Sequence, residues 1–484
     1  MSTLVKTQDK TLSTYIKSAV GLFFMFGFGY LPAIEPLTPM GMKIAGIFIG
    51  LIFLLCTVSI IWPSLLSIVA LGMSGYCTVG EAIGKGLGSE LVWMMLILLI
   101  LSEAMATSGM GEILARWIIT RKFLNGRPML FTFIYMWGLG VCSILVGSIV
   151  VVLMSWQIFY IIADMAGYKK GEKYSTLMLI GCFLSAIMFE GLLSFQSWLL
   201  ALSQTYQEMT GVVFNHVAYF AVGFVVLTIF ILFIVLSMKY IFKCDFDKLN
   251  TIDVAALENS DAGRLNFKHK FYLGCWLLIV AYIFMTTLLP ADFPLIAFLN
   301  TITQSGWFAF VLCLGMILHY KGEPILDFAE VAKTGANWNI LLMCMAIMPL
   351  ASALTSDATG VRTLINNFLS PIVGNMGPVT FLVTIMIAMM ILTNIGSNMA
   401  TGIIMITVAL PFVTQYYYSP MIIGMAIIFI ANMGFILPGS SGMAPFLYSN
   451  EWIGVKNIYK YGVFCAILFL LAAIPVYLVA SFIL

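Results

Sequence analysis

The chain is dominated by apolar runs of about 20 residues, each long enough to cross a bilayer as one α-helix. Hydrophobic residues make up 62% of its 484 residues and charged residues only 9%. Soluble domains carry about 25% charged residues, so a water-soluble fold is excluded. We predict an all-α polytopic membrane protein whose main partner is the lipid bilayer.

Eleven of the apolar runs are predicted to be transmembrane helices. They lie near 15–34, 41–58, 62–77, 88–110, 176–205, 214–238, 270–290, 296–319, 338–356, 420–448 and 460–484. Two longer segments, 128–165 and 377–416, exceed one crossing and carry small or polar residues at their centres. They are predicted to be re-entrant hairpins, each of which enters and leaves on one side.

The distribution of Lys and Arg supports this topology, because cytoplasmic loops hold most basic residues. With the N-terminus inside, only Lys43, Lys85 and Arg362 of the 23 basic residues fall outside. Treating either hairpin as a single span would move the basic segment 239–270 to the other face. We therefore predict a multi-pass protein with a cytoplasmic N-terminus and an outside C-terminus. Compact loops and the lack of a cleavable signal favour the cell (cytoplasmic) membrane.

An internal repeat is indicated when the chain is compared with itself at a shift of about 250 positions. This shift is about half of the chain, as expected for two repeats. The shift places Gly147-Ser148 over Ser397-Asn398 and Glu190 over Ser440. Each half has five spans and a hairpin, an odd number of crossings, so the two repeats are predicted to be inverted. The predicted segments are 1–40 with the first span, 41–240 as repeat 1, 241–269 as a cytoplasmic linker and 270–484 as repeat 2.

Interruptions of helices at mid-membrane predict a binding site, because unwound backbone survives in lipid only where it is enclosed by protein or lines a cavity. The candidate interruptions are 146–148 and 395–398 in the hairpins, and 189–191 and 438–442 in the spans that follow them. Helix N-termini there favour an anion, while freed carbonyls and hydroxyls can coordinate a cation. We expect a small anion and a cation to bind together.

The segment Leu392–Thr401, LTNIGSNMAT, followed by Ala431–Pro438, ANMGFILP, resembles the divalent anion/sodium symporter family of the ion transporter superfamily. In layout the resemblance covers nearly the whole chain. It implies eleven spans, a Ser-Asn-Thr motif at each hairpin tip and a broken helix after each hairpin. It also implies a homodimeric scaffold, an elevator-type moving domain and dicarboxylate substrates.

Within the second repeat, Ser397 and Asn398 match the Ser-Asn of that motif, and Met399 replaces its threonine. Thr393 matches a hydroxyl that family members use for sodium. The resemblance therefore implies that a sodium site is retained in this half.

The first repeat departs further from the family. Ser143 keeps a matching hydroxyl, but Gly147, Ser148 and Ile149 stand where Ser-Asn-Thr belongs. Phe189–Gly191 replaces the family's Thr-Pro loop. These departures put the first sodium site and the usual substrate specificity in question.

The site residues follow from the interruptions and the resemblance together. The candidate substrate-binding residues are Gly147, Ser148, Ile149, Ser397, Asn398, Met399, Ser440 and Ser441. The candidate cation-binding residues are Ser143, Glu190, Thr393, Asn398, Pro438 and Gly439. No metal beyond a possible Na⁺ and no organic cofactor is expected, and the near-neutral net charge of +2 indicates no nucleic-acid partner.

Glu190 is the most informative single residue, because an ionised carboxylate at mid-bilayer costs at least ~2.5 kcal/mol. One interpretation is a neutral carboxyl, hydrogen-bonded inside a packed helix break. The other is a cation ligand or a proton carrier that replaces the first cation site.

Three functional hypotheses remain open. The leading one is a sodium-coupled secondary active transporter of a small di- or tricarboxylate or inorganic anion. The second is a proton-coupled transporter or exchanger that uses Glu190 without sodium. The third is a polytopic intramembrane enzyme or scaffold, for which Gly72–Gly75 matches the Gly-x-Ser-Gly of intramembrane proteases. No buried histidine lies at comparable depth, and a nucleophile needs its base, so we predict that the protein is not an enzyme.

Overall fold

A computed structural model describes most of the chain. The residues outside it are 1, 110–112, 114–125, 196, 252–265, 291, 337, 362, 365–366, 368–375, 414–418 and 439. Gly439, Arg362 and residues 252–265 of the predicted linker 241–269 therefore lie outside the described residues.

The described residues are almost entirely helical, apart from a short antiparallel hairpin of β1 (His319–Tyr320) and β2 (Glu323–Pro324). The helices of the first half are α1 (Ser2–Leu22), α2 (Pro39–Thr57), α3 (Ile61–Met73), α4 (Val79–Leu87), α5 (Glu90–Thr107), α6 (Pro128–Val146), α7 (Ser148–Ala166), α8 (Lys173–Glu190), α9 (Ser197–Thr210) and α10 (His216–Tyr240). Those of the second half are α11 (Phe267–Leu288), α12 (Pro294–Ile317), α13 (Phe328–Gly335), α14 (Trp338–Thr355), α15 (Pro378–Ile395), α16 (Asn398–Val413), α17 (Pro420–Ala431), α18 (Ala444–Ser449) and α19 (Val455–Ala480).

The predicted class, an all-α polytopic membrane protein, is confirmed. Among the described residues, nine helices are long and apolar enough to cross a membrane, or ten if the bent pair α4 and α5 forms one span. This number and the eleven predicted spans do not count the same helices, because three of the nine, α6, α7 and α15, belong to the predicted hairpins. The predicted spans 41–58, 62–77 and 338–356 contain shorter apolar helices, and 176–205 and 420–448 are each divided into two helices. The number of crossings and the inversion of the repeats remain predictions.

Both predicted hairpin segments consist of two consecutive helices. Pro128 and Pro378 each occupy the first turn of the first helix, where the missing N–H costs nothing. The Tyr135 hydroxyl of α6 donates to the Ser155 carbonyl of α7 at 2.7 Å, so these helices run antiparallel. Gly147 joins them with a φ of 85°, a conformation that favours glycine.

The same order of elements occurs in both halves of the chain. A short amphipathic helix (α4, α13) precedes a span (α5, α14), a hairpin, a broken helix and a long final helix (α10, α19). The constant shift of about 250 positions, which relates the two halves in the sequence, does not hold throughout the structure. Glu190 ends α8 whereas Ala431 ends α17, so Ser440 lies within a longer interruption and is not the positional counterpart of Glu190.

The helices pack in two groups. The hairpins α6–α7 and α15–α16 contact the broken helices α8 and α17 and, around them, the long helices α10 and α19. A second group contains α1–α5 and α11–α14. Helix α9 lies against α5 and α14 of the second group, while it also contacts α16 and α17 of the first.

Candidate functional site

The tip of the second hairpin is bonded to the interruption that follows α17. The Thr393 hydroxyl oxygen lies 2.9 Å from Asn398 Oδ1 and 2.6 Å from the Ala431 carbonyl oxygen. The Asn398 backbone N–H donates to the Ser440 carbonyl at 3.1 Å. Thr393, Asn398 and Ser440 are all buried, so three of the predicted site residues meet in one oxygen-rich cluster.

Asn394, which the sequence analysis did not single out, holds the same interruption. Its Oδ1 accepts hydrogen bonds from the backbone N–H groups of Phe435 and Ile436, both at 3.0 Å. Its Nδ2 donates to the Met390 carbonyl of its own helix at 2.9 Å. The sequence offered one signal that could have identified Asn394, namely a side-chain amide beside Thr393 at a predicted hairpin tip. Side-chain amides can supply the hydrogen-bond partners that unwound backbone lacks.

The first hairpin repeats one of these contacts. The Ser143 hydroxyl lies 2.7 Å from the Ala186 carbonyl, near the C-terminal end of α8. Ser143 precedes the start of α7 by five residues, just as Thr393 precedes the start of α16 by five. In each half, therefore, a hydroxyl near the hairpin tip is bonded to a carbonyl of the broken helix.

The Glu190 carboxyl group lies at the tip of the first hairpin. The backbone amide and the hydroxyl of Ser148 lie beside it. Its Oε1 lies 3.7 Å from the position that a Cβ on Gly147 would take. No ion pair described for the chain includes Glu190. Because Ser148 begins α7, this carboxyl occupies the positive end of a helix.

The two broken helices cross beside these tips. Asn432, the first residue after α17, donates from Nδ2 to the Ile187 carbonyl at 2.9 Å. A Cβ on Gly191 would lie only 2.0 Å from the same Nδ2 atom. On the other side, a Cβ on Gly434 would lie 1.8 Å from Asn398 Oδ1. Both hairpin tips therefore adjoin one crossing point, and Asn432 is a second polar residue there that the sequence analysis missed.

The interruption after α8 is held by α10 rather than by its hairpin. The Tyr219 hydroxyl donates to the Gly191 carbonyl at 2.9 Å. Ser194 Oγ and His216 Nδ1 are also hydrogen-bonded at 2.9 Å. These contacts fix the unwound chain on the side away from the first tip.

The remaining predicted site residues are placed less centrally. Ile149 is 47% exposed, whereas Met399 is only 3% exposed, so the two tips differ in their apolar third position. Ser441 Oγ accepts the Ala444 N–H, at the start of α18, at 3.1 Å. Ser397 is partly buried and its carbonyl accepts the Thr401 N–H, while Pro438 is exposed.

The atoms that could coordinate a metal ion at the second tip suit an alkali cation better than a transition metal. In the described part of the chain, no group of three or more His, Cys, Asp or Glu side chains could hold a metal ion. The oxygen atoms present belong to hydroxyls, a side-chain amide and backbone carbonyls, which coordinate Na⁺ at helix interruptions.

Comparisons with known proteins agree with a transporter. A family model described as "Citrate transporter" matches residues 48–429, most of the chain. No curated protein matches. The structure of Neisseria gonorrhoeae MtrF, whose title refers to a class of antimetabolite efflux pumps, is 14% identical, with a TM-score of 0.58 over 98% of this chain and 95% of that one. The Alcanivorax borkumensis YdaH transporter is 12% identical, with a TM-score of 0.53 over 82% of this chain and 86% of that one. At these identities the two structures show a shared fold alone.

Proposed function

The chain belongs to the citrate transporter family, and from this premise we propose that it carries a small di- or tricarboxylate or inorganic anion with sodium. The family and both structural neighbours are transporters. The protein is accordingly a secondary transporter and not an enzyme, and the enzyme or scaffold hypothesis was wrong. The substrate, the coupling ion and the mode of movement are the proposed part.

One observation carries the proposal: both hairpin tips adjoin the crossing of the two broken helices. Ser148 and Asn398 begin α7 and α16, so two helix N-termini lie beside one interrupted region. Such N-termini favour anionic groups. We propose that the substrate binds there, against Gly147-Ser148 and Ser397-Asn398, with Ser440 and Ser441 beside the second tip.

The sodium site is proposed at the second tip. Thr393 Oγ1, Asn398 Oδ1 and the Ala431 carbonyl oxygen lie within one cluster, with Thr393 2.6 to 2.9 Å from the other two. A single hydroxyl proton can serve only one of these two acceptors, which leaves oxygen lone pairs that a cation would satisfy. The further ligands predicted at Pro438 and Gly439 belong to this proposal.

Alternating access would come from movement of one helix group against the other. Both hairpins and the broken helices α8 and α17 belong to one group. Helix α9 contacts both groups, and the pairs α5–α6 and α10–α11 also join them. This division supports an elevator-type movement of the hairpin-bearing group. The homodimeric scaffold rests on the family resemblance.

Uptake into proteoliposomes tests the sodium proposal. Citrate, succinate and sulfate are offered with and without an inward sodium gradient, using wild type, Thr393→Val and Thr407→Val. Thr407 is the matched control, because it is a buried threonine of α16 whose hydroxyl bonds only to Ile403 of its own helix. We expect Thr393→Val to lose sodium-driven uptake and Thr407→Val to keep it. Equal uptake with and without sodium in wild type would refute the coupling.

Proton coupling through Glu190 is the second candidate, favoured by a partly buried carboxyl that lies at the first hairpin tip, beside Gly147 and Ser148. The test is uptake driven by an imposed pH gradient in sodium-free buffer. If the candidate is correct, Glu190→Gln abolishes pH-driven uptake, because an amide cannot carry the proton. Uptake in that variant that still follows the pH gradient would exclude this role.

A further inference from the structure

The two halves of the chain are hydrogen-bonded to each other where the broken helices cross. In each half, the hydroxyl near the hairpin tip is bonded to one carbonyl of the broken helix, that of Ala186 in the first half and that of Ala431 in the second. The residues that follow these carbonyls, Ile187 and Asn432, are therefore counterparts. Asn432 Nδ2 donates to the Ile187 carbonyl at 2.9 Å. The bond thus joins one residue to its own counterpart, as expected where two related halves meet at their axis.

This bond completes a chain of contacts from one hairpin tip to the other. The peptide group that precedes Asn432 contains the Ala431 carbonyl, whose oxygen lies 2.6 Å from the Thr393 hydroxyl oxygen in the proposed sodium site. The carbonyl that precedes Ile187 lies 2.7 Å from the Ser143 hydroxyl oxygen at the first tip. Every link between the two tips along this route is a hydrogen bond or a stretch of one or two residues of backbone.

The Asn432 side chain has little freedom to move. It is 8% exposed, and a Cβ on Gly191 would lie 2.0 Å from its Nδ2. Its counterpart in the first half is an isoleucine, whose side chain cannot donate a reciprocal hydrogen bond. Phe183 and Phe435 also meet near the crossing, with ring centroids 6.5 Å apart, but an apolar contact lacks the directionality of a hydrogen bond. The side-chain hydrogen bond across the crossing therefore depends on one amide.

We propose that Asn432 is a positioning residue that couples the cation site of the second tip to the first tip. This inference rests on the proposed function. A cation in that site is held in part by the Ala431 carbonyl, and it therefore fixes the backbone from which the Asn432 side chain extends. The amide in turn holds the Ile187 carbonyl and the end of α8, to which Ser143 is bonded. Cation binding and the geometry of the first tip are then linked, and the link acts in both directions.

A cysteine at the first tip tests the coupling. Ile149 is 47% exposed, so Ile149→Cys is introduced into full-length wild type, Asn432→Ala and Asn457→Ala. Maleimide labelling at position 149 is followed by peptide mass spectrometry in sodium or N-methylglucamine chloride. Asn457 is the matched control, a partly buried asparagine whose Nδ2 donates to one carbonyl, that of Ile453.

We expect sodium to change the labelling rate by about threefold or more in the wild-type and Asn457→Ala backgrounds and to leave it unchanged in Asn432→Ala. A threefold change corresponds to ~0.6 kcal/mol, which is typical of one hydrogen bond between membrane helices. An equal sodium response in Asn432→Ala and wild type would overturn the coupling.

A second pair of variants tests the contact from the other helix. Gly191→Ala adds a methyl group against the Asn432 amide, and we expect it to abolish the sodium response as well. Asn432→Ala removes the two side-chain atoms nearest to that methyl group. The double variant should therefore unfold at the same SDS concentration as Asn432→Ala alone. Additive destabilisation by the two substitutions would show that they share no contact, and would contradict the proposed link.

Melting temperatures with and without sodium separate the coupling from the proposed function. We expect sodium to raise the melting temperature of wild type and of Asn432→Ala, because the atoms of the cation site remain in both. Loss of this rise in Asn432→Ala would place Asn432 in the cation site itself and overturn the coupling role. No rise in wild type would refute the cation site and the coupling together. A labelling response that depends on Asn432, in a protein without sodium-driven uptake, would refute the proposed symport and support the coupling.

Discussion

Replacing Asn394 by leucine should destabilise the protein more than replacing an asparagine whose amide accepts no backbone N–H group. The substitution keeps the branching at Cγ but removes the oxygen that accepts the N–H groups of Phe435 and Ile436. An unsatisfied buried backbone donor costs about 1–3 kcal/mol. Two such donors therefore predict a loss of roughly 2–6 kcal/mol, with the lower values reached if the chain relaxes.

The matched control is Asn457→Leu in α19. Asn457 is also partly buried, but its Nδ2 donates to the Ile453 carbonyl, just before the start of α19, at 2.8 Å. Removing that bond leaves no backbone donor without a partner, so a loss of about 0.5–1 kcal/mol is expected. A third variant, Asn394→Asp, keeps the acceptor and should lie closer to wild type at low pH, where a protonated carboxyl can also donate to Met390.

The assay is unfolding in mixed micelles with increasing SDS, followed by tryptophan fluorescence, with sodium-driven uptake measured in parallel. We expect Asn394→Leu to unfold at clearly lower SDS than Asn457→Leu and to lose uptake, because the interruption that it holds also carries the Ser440 carbonyl. Equal unfolding midpoints for the two leucine variants would refute the inference that Asn394 holds the interruption.

Three further predictions follow from single contacts. Gly434→Ala should abolish transport, since its Cβ would lie 1.8 Å from the amide oxygen at the second tip, whereas Gly442→Ala, with no heavy atom within 4 Å, should be tolerated; comparable uptake by both would contradict this. Burial raises the pKa of the Cys244 thiol to about 11, so its maleimide labelling should rise roughly tenfold per pH unit below that value, and a flat profile between pH 7 and 9 would contradict the burial. Lys170 and Glu451 form an ion pair at 2.8 Å, so cysteines at both positions should be labelled from the cytoplasmic face only; labelling from outside would reverse the predicted topology.

Much of the architecture is readable from local sequence. Lipid offers no hydrogen-bond partners, so a run of about 20 apolar residues must be a helix and a small or polar group within it must mark an interruption. For this reason the predicted segment 128–165 coincides with α6 and α7, and 377–416 with α15 and α16. Asn398 was chosen on the same grounds and Thr393 from the family resemblance, and the two lie together at the second tip.

The lengths of the interruptions were less predictable. The second one extends from Asn432 to Met443, much further than the predicted 438–442, because Asn394 provides a side-chain acceptor for the unwound N–H groups of Phe435 and Ile436. This partner comes from another helix, α15. No local pattern around Ala431 indicates it.

The sequence by itself determined that this protein is a helical membrane protein and in which segments its helices are interrupted, because both depend on the polarity of neighbouring residues. Only the tertiary structure decided which groups meet at those interruptions. Asn394 bonds to a backbone 41 residues away and Asn432 to one 245 residues away. Glu190 reaches Ser148 across the first tip. Such pairings depend on how the helices pack against one another, which is a property of the whole chain.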